Sequence, residues 1–216
     1  MSKKKEVIVW GGTGQSIVLE EFLEDIGYKL IAVFDNNENC PSPFDNVPIY
    51  YGLVGFEKFI AKHSDKDLYF MVAIAGGNGK IRHEIHQMLL NKGLIPISAI
   101  HHSSYIAKNV EFKHGLQVLP NATIGARCQI GEACIINTAS SIDHECELGD
   151  GVHIGPGATL AGCIRIGDYT FIGTNATILP RIVIGKNVNI GAGSVVTKNV
   201  PDNSIAYGNP CKIKKS

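Results

Sequence analysis

Several features that point to common classes of protein are absent from this chain of 216 residues. It has no excess of charge, with 20 basic and 20 acidic side chains, so it lacks the basic surface typical of proteins that bind nucleic acid or anionic membranes. The apolar run Val7–Trp10 is too short for the core of a signal peptide, and no run approaches the length of a membrane span. The composition therefore favours a cytoplasmic protein of one or two domains.

The cysteines lack a metal-binding pattern. The 6 cysteines form no C-x-x-C pair. Cys128, Cys134 and Cys146 recur at multiples of six residues, at positions where a thiol can pack as a compact apolar group. We interpret the cysteines as reduced structural residues, and we predict that the protein has no metal cofactor.

The second half of the chain is dominated by one periodic pattern. Every sixth residue from Ile106 to Val196 is apolar, the next residue is most often glycine, and the residue four positions on is small or branched. The sixteen apolar positions, here called anchors, are Ile106, Phe112, Val118, Ile124, Ile130, Ile136, Ile142, Leu148, Ile154, Leu160, Ile166, Ile172, Ile178, Ile184, Ile190 and Val196. A period of six fits neither an amphipathic helix nor an alternating strand. It is typical of a parallel β-helix built from hexapeptide repeats.

In such a helix each hexad forms one flat face of a coil, and three faces close a triangular prism. We expect every anchor to point inward and the glycine after it to permit the tight corner. Residues three hexads apart should stack, so that Ala126, His144, Gly162 and Pro180 form one column. In that column Gly162 leaves room beside the outward-facing His144 and exposes a backbone N–H.

The first hundred residues alternate between strand and helix patterns instead. Apolar runs predict four strands, and helical patterns follow the first three of them. The strands are expected at residues 7–10, 30–34, 68–74 and 95–100. Alternation of this kind indicates a small parallel sheet. We predict an α/β Rossmann-like domain over residues 1–102 and the β-helix with a C-terminal tail over residues 103–216.

Two glycine-rich loops follow strands of this sheet and enter helices, where backbone N–H groups could hold a phosphate. They lie at Gly11–Gly14 and Gly76–Gly79, and Asp35 follows Gly14 by 21 residues, the usual offset of a ribose-binding acid. The complete G-x-G-x-x-G is missing, and four strands are too few for a full dinucleotide fold. A nucleotide or nucleotide-sugar site is therefore favoured over a dinucleotide enzyme. A glycine turn needed only for packing is the other alternative.

Together these features resemble the bacterial left-handed β-helix sugar acyltransferases, which include bacillosamine (UDP-4-amino-sugar) N-acetyltransferase and sialic-acid O-acetyltransferase. The resemblance is carried by the hexads, by the segment Ile136–Cys146 with His153 following, and by Gly208–Lys212, which is similar to the family's closing G-x-P-A-K. The left hand of the helix is taken from this resemblance. At Gly14-Gln15-Ser16 the chain departs from the family's usual Gly-His-Gly.

The resemblance implies roles for individual residues. It makes His144 the general base and Glu145 the carboxylate that tunes it. It assigns contacts with coenzyme A to His153, Thr174 and Ala192. It assigns contacts with the nucleotide-sugar to Thr13, Gly14, Gln15, Asp35 and Asn36, and to Gly77 and Asn78 of the second loop. The stacking of the hexads adds Gly162, which leaves room for the thioester and offers its N–H to the oxyanion.

We therefore predict an acetyl-CoA-dependent N-acetyltransferase that acts on a nucleotide-linked amino sugar, with a 4-amino-4,6-dideoxy sugar favoured, in surface-glycan biosynthesis. The resemblance implies a homotrimer whose subunits share active sites. Three alternatives stay open: a sialic-acid-type sugar O-acetyltransferase, a non-catalytic nucleotide-sugar-binding protein, and a zinc hydratase. The last is disfavoured because His144 and His153 are nine residues apart and a closer ligand pair is missing. The nucleotide base, the modified sugar carbon and the acyl length are not determined by the sequence.

Overall fold

A computed structural model describes residues 4–63 and 67–215. The chain divides into two compact units. The first contains the residues up to Ile74 together with Glu84–Ala99, and the second contains Ala75–His83 together with the residues from Ile100 onward. A domain boundary after residue 102 stays a prediction. Among the described helices, none combines the length and the apolar character needed to cross a membrane.

The first unit is built on a parallel sheet of five strands in the order β3-β2-β1-β4-β5. The elements in this part of the chain are β1 (Lys5–Trp10), α1 (Gly14–Leu23), β2 (Tyr28–Asp35), β3 (Ile49–Tyr51), α2 (Gly52–Ala61), β4 (Tyr69–Val72), α3 (Gly79–Asn91) and β5 (Ile95–Pro96). Strand β1 lies between β2 and β4, so the strand order reverses beside it. Sheets of this class bind ligands at that point, beyond the carboxyl ends of the strands.

Two details of the predicted sheet are wrong. There are five strands rather than four, because the three-residue β3 pairs with β2 through Phe34 and Tyr50. Its three residues are only half-buried and are too few to form a recognisable apolar run in the sequence. The single strand expected at residues 95–100 is two strands, β5 and β6 (Ala99–Ile100). Pro96 lacks a backbone N–H, and β6 is a member of a sheet of the β-helix.

The second unit is a parallel β-helix, and the predicted period of six is confirmed. Each of the sixteen anchors is the second residue of a two-residue strand. These strands are β7 (Tyr105–Ile106), β8 (Glu111–Phe112), β9 (Gln117–Val118), β10 (Thr123–Ile124), β11 (Gln129–Ile130), β12 (Ile135–Ile136), β13 (Ser141–Ile142), β14 (Glu147–Leu148), β15 (His153–Ile154), β16 (Thr159–Leu160), β17 (Arg165–Ile166), β18 (Phe171–Ile172), β19 (Thr177–Ile178), β20 (Val183–Ile184), β21 (Asn189–Ile190) and β22 (Val195–Val196). Two further strands, β23 (Ile205–Tyr207) and β24 (Lys212–Lys215), close the chain.

The strands form three sheets, one on each face of the prism. The first face has the order β22-β19-β16-β13-β10-β7, the second β20-β17-β14-β11-β8, and the third β24-β23-β21-β18-β15-β12-β9-β6. Each strand pairs with the strand three hexads further along the chain, so that Ile142 lies opposite Leu160. The expected stacking of successive coils is therefore confirmed.

The core of the prism contains most of the anchors together with small side chains from the corners. Fourteen anchors are buried, but Ile106 is only half-buried and Phe112 is 42% exposed. The expectation that every anchor is enclosed is therefore wrong for the first coil. The reason is that β7 and β8 are the terminal strands of their sheets, so no further coil covers them.

The glycines have a different role from the one expected. The left-handed backbone of most corners falls on the third residue after the anchor, and non-glycine residues such as Ala133 (φ 51°) and Glu145 (φ 57°) adopt it. The glycine directly after the anchor serves close stacking instead. A Cβ on Gly125 would lie 2.8 Å from the carbonyl carbon of Asp143, and one on Gly155 would lie 2.7 Å from the carbonyl oxygen of Ile172. A side chain at these positions would collide with the next coil.

Candidate active site

His144 lies on the corner that joins the first and second faces, two residues after the anchor of β13. Its side chain is 52% exposed, and its Nδ1 is 3.0 Å from Oε2 of Glu145. Its backbone N–H is held by Oδ1 of Asp143 at 2.7 Å. A carboxylate on Nδ1 favours the tautomer that carries its proton there, so Nε2 keeps a free lone pair. The corner therefore presents an accessible imidazole with a proton-accepting nitrogen.

Gly162 occupies the same corner one coil further on, as the stacking of successive coils requires. A Cβ on Gly162 would lie 2.6 Å from Nε2 of His144, so the imidazole lies directly across this glycine. The backbone N–H of Cys163 donates to the carbonyl oxygen of His144 at 2.9 Å and ties the two corners together. Within the described part of the chain, no acceptor binds the N–H of Gly162. This N–H is available to a ligand beside the imidazole.

His153 has very different surroundings. It lies on the third face, 3% exposed, with its ring 5.1 Å from that of Phe171. Gly76 donates its N–H to Nδ1 at 2.9 Å, and the side-chain amide of Asn137 lies 3.0 Å from Nε2. Burial lowers the pKa of His153 to about 3, with a smaller contribution from the charge of Arg82. This imidazole is therefore neutral at physiological pH.

Arg82 is a residue that the sequence analysis does not single out, yet it is fully buried within the second unit. Its Nε donates to the carbonyl oxygen of Ala133 at 2.7 Å, and its Nη2 donates to that of Gly151 at 2.7 Å. Burial lowers its pKa to about 10, so it stays charged at neutral pH. One signal of its burial is present in the sequence: Arg82 shares the spacing of one helix face with Ile85 and Leu89.

Thr174 and Ala192 are both exposed and lie on successive coils of another corner, the one between the third and first faces. The N–H of Gly193 donates to the carbonyl oxygen of Thr174 and links these coils. Within one chain this corner and the His144 corner are separated by the whole first face. Thr174 and Ala192 are therefore on the opposite edge of that face from His144 and Gly162, and His153 lies on the third face.

The first glycine loop lies at the carboxyl end of β1 in the first unit. Thr13 and Gly14 are exposed at the start of α1, whereas Gln15 is buried. A Cβ on Gly14 would meet no atom within 4 Å, so this glycine faces open space. Gly11 has a packing role instead, because its Cβ would collide with the carbonyl oxygen of Ala73.

Asp35 holds this loop to the end of β2. Its Oδ2 accepts from the N–H of Gly12 at 2.7 Å, and its Oδ1 accepts from the N–H of Asn37 at 2.8 Å. Each oxygen retains a second lone pair that a ribose hydroxyl could use. Asn36 is exposed beside it. The structure thus brings Thr13, Gly14, Asp35 and Asn36 together at one edge of the sheet.

The second glycine loop belongs to the second unit, where Gly76 adopts a left-handed backbone (φ 70°) and packing restricts Gly77 and Gly79. A Cβ on Gly77 would lie 2.8 Å from Oδ1 of Asn189, and one on Gly79 would collide with the carbonyl oxygen of Gly151. Asn78 is exposed, and its side chain donates to the carbonyl oxygen of Ala75 at 3.1 Å. A role of Gly77 and Asn78 in binding sugar stays a prediction.

Comparison with known families finds two families along the chain. The PglD N-terminal domain matches residues 6–89. The bacterial transferase hexapeptide (six repeats) family matches residues 127–162 and 163–198. The first family covers β1 to β4 with most of α3, and the second covers the coils that carry His144, Gly162 and Thr174.

Solved structures match the chain over nearly its whole length. PerB from Caulobacter crescentus, in complex with CoA and GDP-perosamine, is 31% identical with a TM-score of 0.87, and the match covers 97% of each chain. A mutant of perosamine N-acetyltransferase from the same organism, also with CoA and GDP-perosamine, is 30% identical with a TM-score of 0.89, covering 98% of this chain and 97% of that one. The acetyltransferase domain of PglB from Neisseria gonorrhoeae, in complex with acetyl coenzyme A, is 27% identical with a TM-score of 0.85, covering 97% and 99%.

These matches confirm the predicted fold class, an α/β domain followed by a left-handed parallel β-helix of hexapeptide repeats. They also confirm the predicted family, because identity of 30% or more extends over almost the entire length of both chains. The chain belongs to the hexapeptide-repeat sugar N-acetyltransferases that carry a PglD-type N-terminal domain.

Proposed function

We propose that this protein transfers the acetyl group of acetyl-CoA to the amino group of a nucleotide-linked amino sugar, in the synthesis of a surface glycan. The observation that carries the proposal is the exposed His144 imidazole, held by Glu145 on one side and lying across Gly162 on the other. Relatives that match over the full chain bind CoA with GDP-perosamine or bind acetyl coenzyme A. Both lines of support point to acyl transfer from a thioester.

His144 acts as the general base. The sugar nitrogen attacks the thioester carbonyl while Nε2 takes its proton, and Glu145 stabilises the imidazolium that forms. The tetrahedral intermediate then collapses with cleavage of the carbon–sulfur bond. The coenzyme leaves as a thiolate and receives the proton from His144, so the imidazole returns to its neutral state.

Gly162 supplies the space and the donor for this step. A substituent there would occupy the position of the imidazole, so the absence of a side chain keeps the corner open. The Gly162 N–H is a donor for the negatively charged oxygen of the intermediate. A hydrogen bond at that point strengthens as the charge develops, which lowers the barrier.

The nucleotide-sugar is bound by the first glycine loop. Exposed Thr13 and Gly14 begin α1, where the N-terminal end of the helix favours a phosphate, and Asp35 with Asn36 lies beside them. Gln15 is buried at the position where the family usually has histidine. We therefore expect the main-chain N–H groups, rather than the Gln15 side chain, to contact the diphosphate.

The complete active site is formed between subunits of a homotrimer. The support is that His144 and the pair Thr174–Ala192 occupy opposite edges of the first face. One molecule of coenzyme can reach both His144 and the pair Thr174–Ala192 only if the His144 edge of one subunit faces the Thr174–Ala192 edge of its neighbour. We place the reaction in the cytoplasm, which supplies acetyl-CoA and nucleotide sugars.

The test is an assay of thiol release from acetyl-CoA with UDP-, dTDP- and GDP-linked 4-amino-4,6-dideoxy sugars, each compared with sialic acid. We expect thiol release with at least one amino sugar and a product acetyl group that resists hydroxylamine, because an amide resists it and an ester does not. An ester product would establish the O-acetyltransferase alternative. Binding of a nucleotide-sugar without thiol release would favour the non-catalytic alternative.

A further inference from the structure

A third residue with metal-binding chemistry lies beside the proposed base. A ring nitrogen of His144, a carboxylate oxygen of Glu145 and the sulfur of Cys163 all lie within 4.8 Å of one another. The cysteine is half-buried, whereas the other two side chains are exposed. The three residues come from two coils, and the hydrogen bond from the N–H of Cys163 to the carbonyl of His144 fixes the distance between those coils.

The three donors are those that zinc prefers. Zinc binds thiolate sulfur at about 2.3 Å and imidazole nitrogen or carboxylate oxygen at about 2.0–2.2 Å, in a tetrahedral arrangement. Such ligands are separated by about 3.5 Å, so side-chain rotations at an exposed corner are enough to close the present spacing. The cluster supplies three ligands and leaves a fourth position for water.

The turn does not require a thiol at this position. Cys163 is the left-handed residue of its corner, with φ of 62°. Ala133 and Ala139 occupy the corresponding position on other corners with φ of 51° and 55°, so alanine is compatible with the backbone. Packing of the turn therefore does not account for the choice of cysteine beside Gly162.

We propose that His144, Glu145 and Cys163 form an inhibitory zinc site that switches off the acetyltransferase reversibly. The inference rests on the proposed function, because it takes His144 as the base. Whichever ring nitrogen binds the metal, catalysis is blocked. A metal on Nε2 takes the lone pair that accepts the proton, and a metal on Nδ1 leaves the ring proton on Nε2, which then has no lone pair for the substrate.

The charges around the cluster are compatible with a cation of this kind. Glu145 contributes a negative charge, and a bound thiolate contributes another. Arg127 opposes them, with its Nη1 3.9 Å from Oε1 of Glu145. This arginine is 75% exposed and can turn into solvent when a metal is bound. Together the carboxylate and the thiolate therefore balance the two positive charges of zinc.

The first test uses cobalt(II) as a spectroscopic substitute for zinc in the chelator-treated full-length protein. We expect one equivalent per chain to give a sulfur-to-cobalt charge-transfer band together with the visible absorption of a tetrahedral site, both abolished by zinc. Cys163→Ala should lose the charge-transfer band. Cys211→Ala is the matched control, because Cys211 is another half-buried thiol outside the cluster, and it should keep the band.

The second test measures acetyl transfer with and without zinc, and compares the ratio of the two rates within each variant. We expect zinc to lower the rate at least tenfold in the unaltered protein and in Cys211→Ala, with recovery on addition of a chelator. In Cys163→Ala the ratio should fall to less than threefold. Taking the ratio within each variant removes any change in the basal rate.

The outcomes separate the two proposals. If cobalt gives no sulfur band, or if Cys163→Ala keeps the band, the zinc site is disproved whatever the activity. A zinc effect that persists unchanged in Cys163→Ala also overturns it. If the band appears and depends on Cys163 but the chelator-treated protein acetylates no amino sugar, the proposed function fails and the metal site stands.

Discussion

Two histidines nine residues apart on the same prism have opposite environments. His144 projects from a corner with half of its side chain exposed, and its one strong partner is the Glu145 carboxylate. His153 is enclosed on the third face by Phe171, Asn137 and the backbone of Gly76. The hexapeptide period accounts for the position of both residues. Their chemistry differs because the segment Ala75–His83 packs on the prism and covers one of them.

The comparison sets the residue proposed as the base beside a histidine that packing holds in place. A general base must be accessible to the substrate and must present a free lone pair, and the exposed His144 imidazole with Glu145 on its Nδ1 meets both conditions. His153 cannot accept a proton above about pH 3 because burial lowers its pKa to that value. Its neutral ring is a fixed hydrogen-bonding group. Variants at the two sites should therefore affect different quantities, the rate at the first and the stability at the second.

The largest expected effect is on the rate of His144→Ala. Removal of the general base should lower kcat by a factor of about 10²–10⁴, because general-base catalysis contributes that much. The melting temperature should change little, because the side chain is exposed. Steady-state thiol release and circular dichroism measure the two quantities.

His102→Ala is the matched control for this prediction, since His102 is an exposed histidine of the same unit outside the corner. Its rate should stay within about twofold of the unaltered protein. If His144→Ala retained more than a tenth of the activity, His144 would not be the base, and the proposed contrast between a catalytic and a structural histidine would be wrong.

The next effect is on the stability of Arg82→Met. This variant leaves the buried carbonyl oxygens of Ala133 and Gly151 without the donors they have now. Unsatisfied buried acceptors cost about 1–3 kcal/mol each, so the free energy of unfolding should fall by roughly 2–4 kcal/mol. Urea titration at pH 7 measures the loss. Arg165→Met, at an exposed position on the second face, should change it by less than about 0.5 kcal/mol.

A smaller effect is expected for Gly162→Ala, and it should appear in the rate. The new methyl group would lie 2.6 Å from Nε2 of His144 and must displace the ring. Because that ring is exposed it can turn away, so kcat should fall about 10–100-fold, comparable to other losses of catalytic geometry, with little change in stability.

Gly167→Ala is the contrasting variant. Its methyl group would lie 2.6 Å from the backbone nitrogen of Lys186, which cannot move away without disturbing a coil. Here the free energy of unfolding should fall by about 1–3 kcal/mol. Equal destabilisation by both substitutions would contradict the assignment of Gly162 to the site and Gly167 to packing.

The effect that is smallest at neutral pH, because it develops only in acid, is a change in the pH dependence of stability in His153→Gln. The pKa of His153 is about 3 in the folded protein, against an ordinary value of 6.5, so the unfolded chain binds more protons between these values. The free energy of unfolding is unaffected by this group above about pH 6.5. Below that pH the unfolded chain gains a proton that the folded protein cannot bind, so the free energy of unfolding falls as the pH falls towards 3, by up to about 1.4 kcal/mol per pH unit. The glutamine variant should lack this component. Unfolding curves from pH 7 to pH 4.5, taken as the difference between the two proteins, measure it, and identical pH profiles would show that His153 is not held neutral.

Much of the prism can be predicted because its repeat is local and strict. Anchors at every sixth position specify the strands, and pairing between strands three hexads apart then places Gly162 beside His144. The role of the glycines cannot be read in the same way, because collision with the next coil is a contact between different turns that a sequence pattern does not display. The strand β3 escapes prediction because it is too short to show alternation.

The parts of the site that sequence reasoning misses depend on contacts distant in sequence. Arg82 reaches carbonyl groups 51 and 69 residues away, and Gly76 reaches His153 across 77 residues. No local period encodes such pairs. Cys163 is a different case, because the sequence offers little reason to separate it from the structural cysteines although it follows directly after the glycine of the site.

The uninterrupted repeat also means that the distance between two corners along the prism is set by the number of coils between them. Each coil rests only on the coils before and after it, so three further hexads could be inserted as a complete turn without altering the corners of the others. An inserted turn between Gly162 and Thr174 would move Thr174 and Ala192 away from His144 by the spacing of one coil, about 4.8 Å along the prism axis. The number of turns between these corners thus sets the length of ligand that can bridge them.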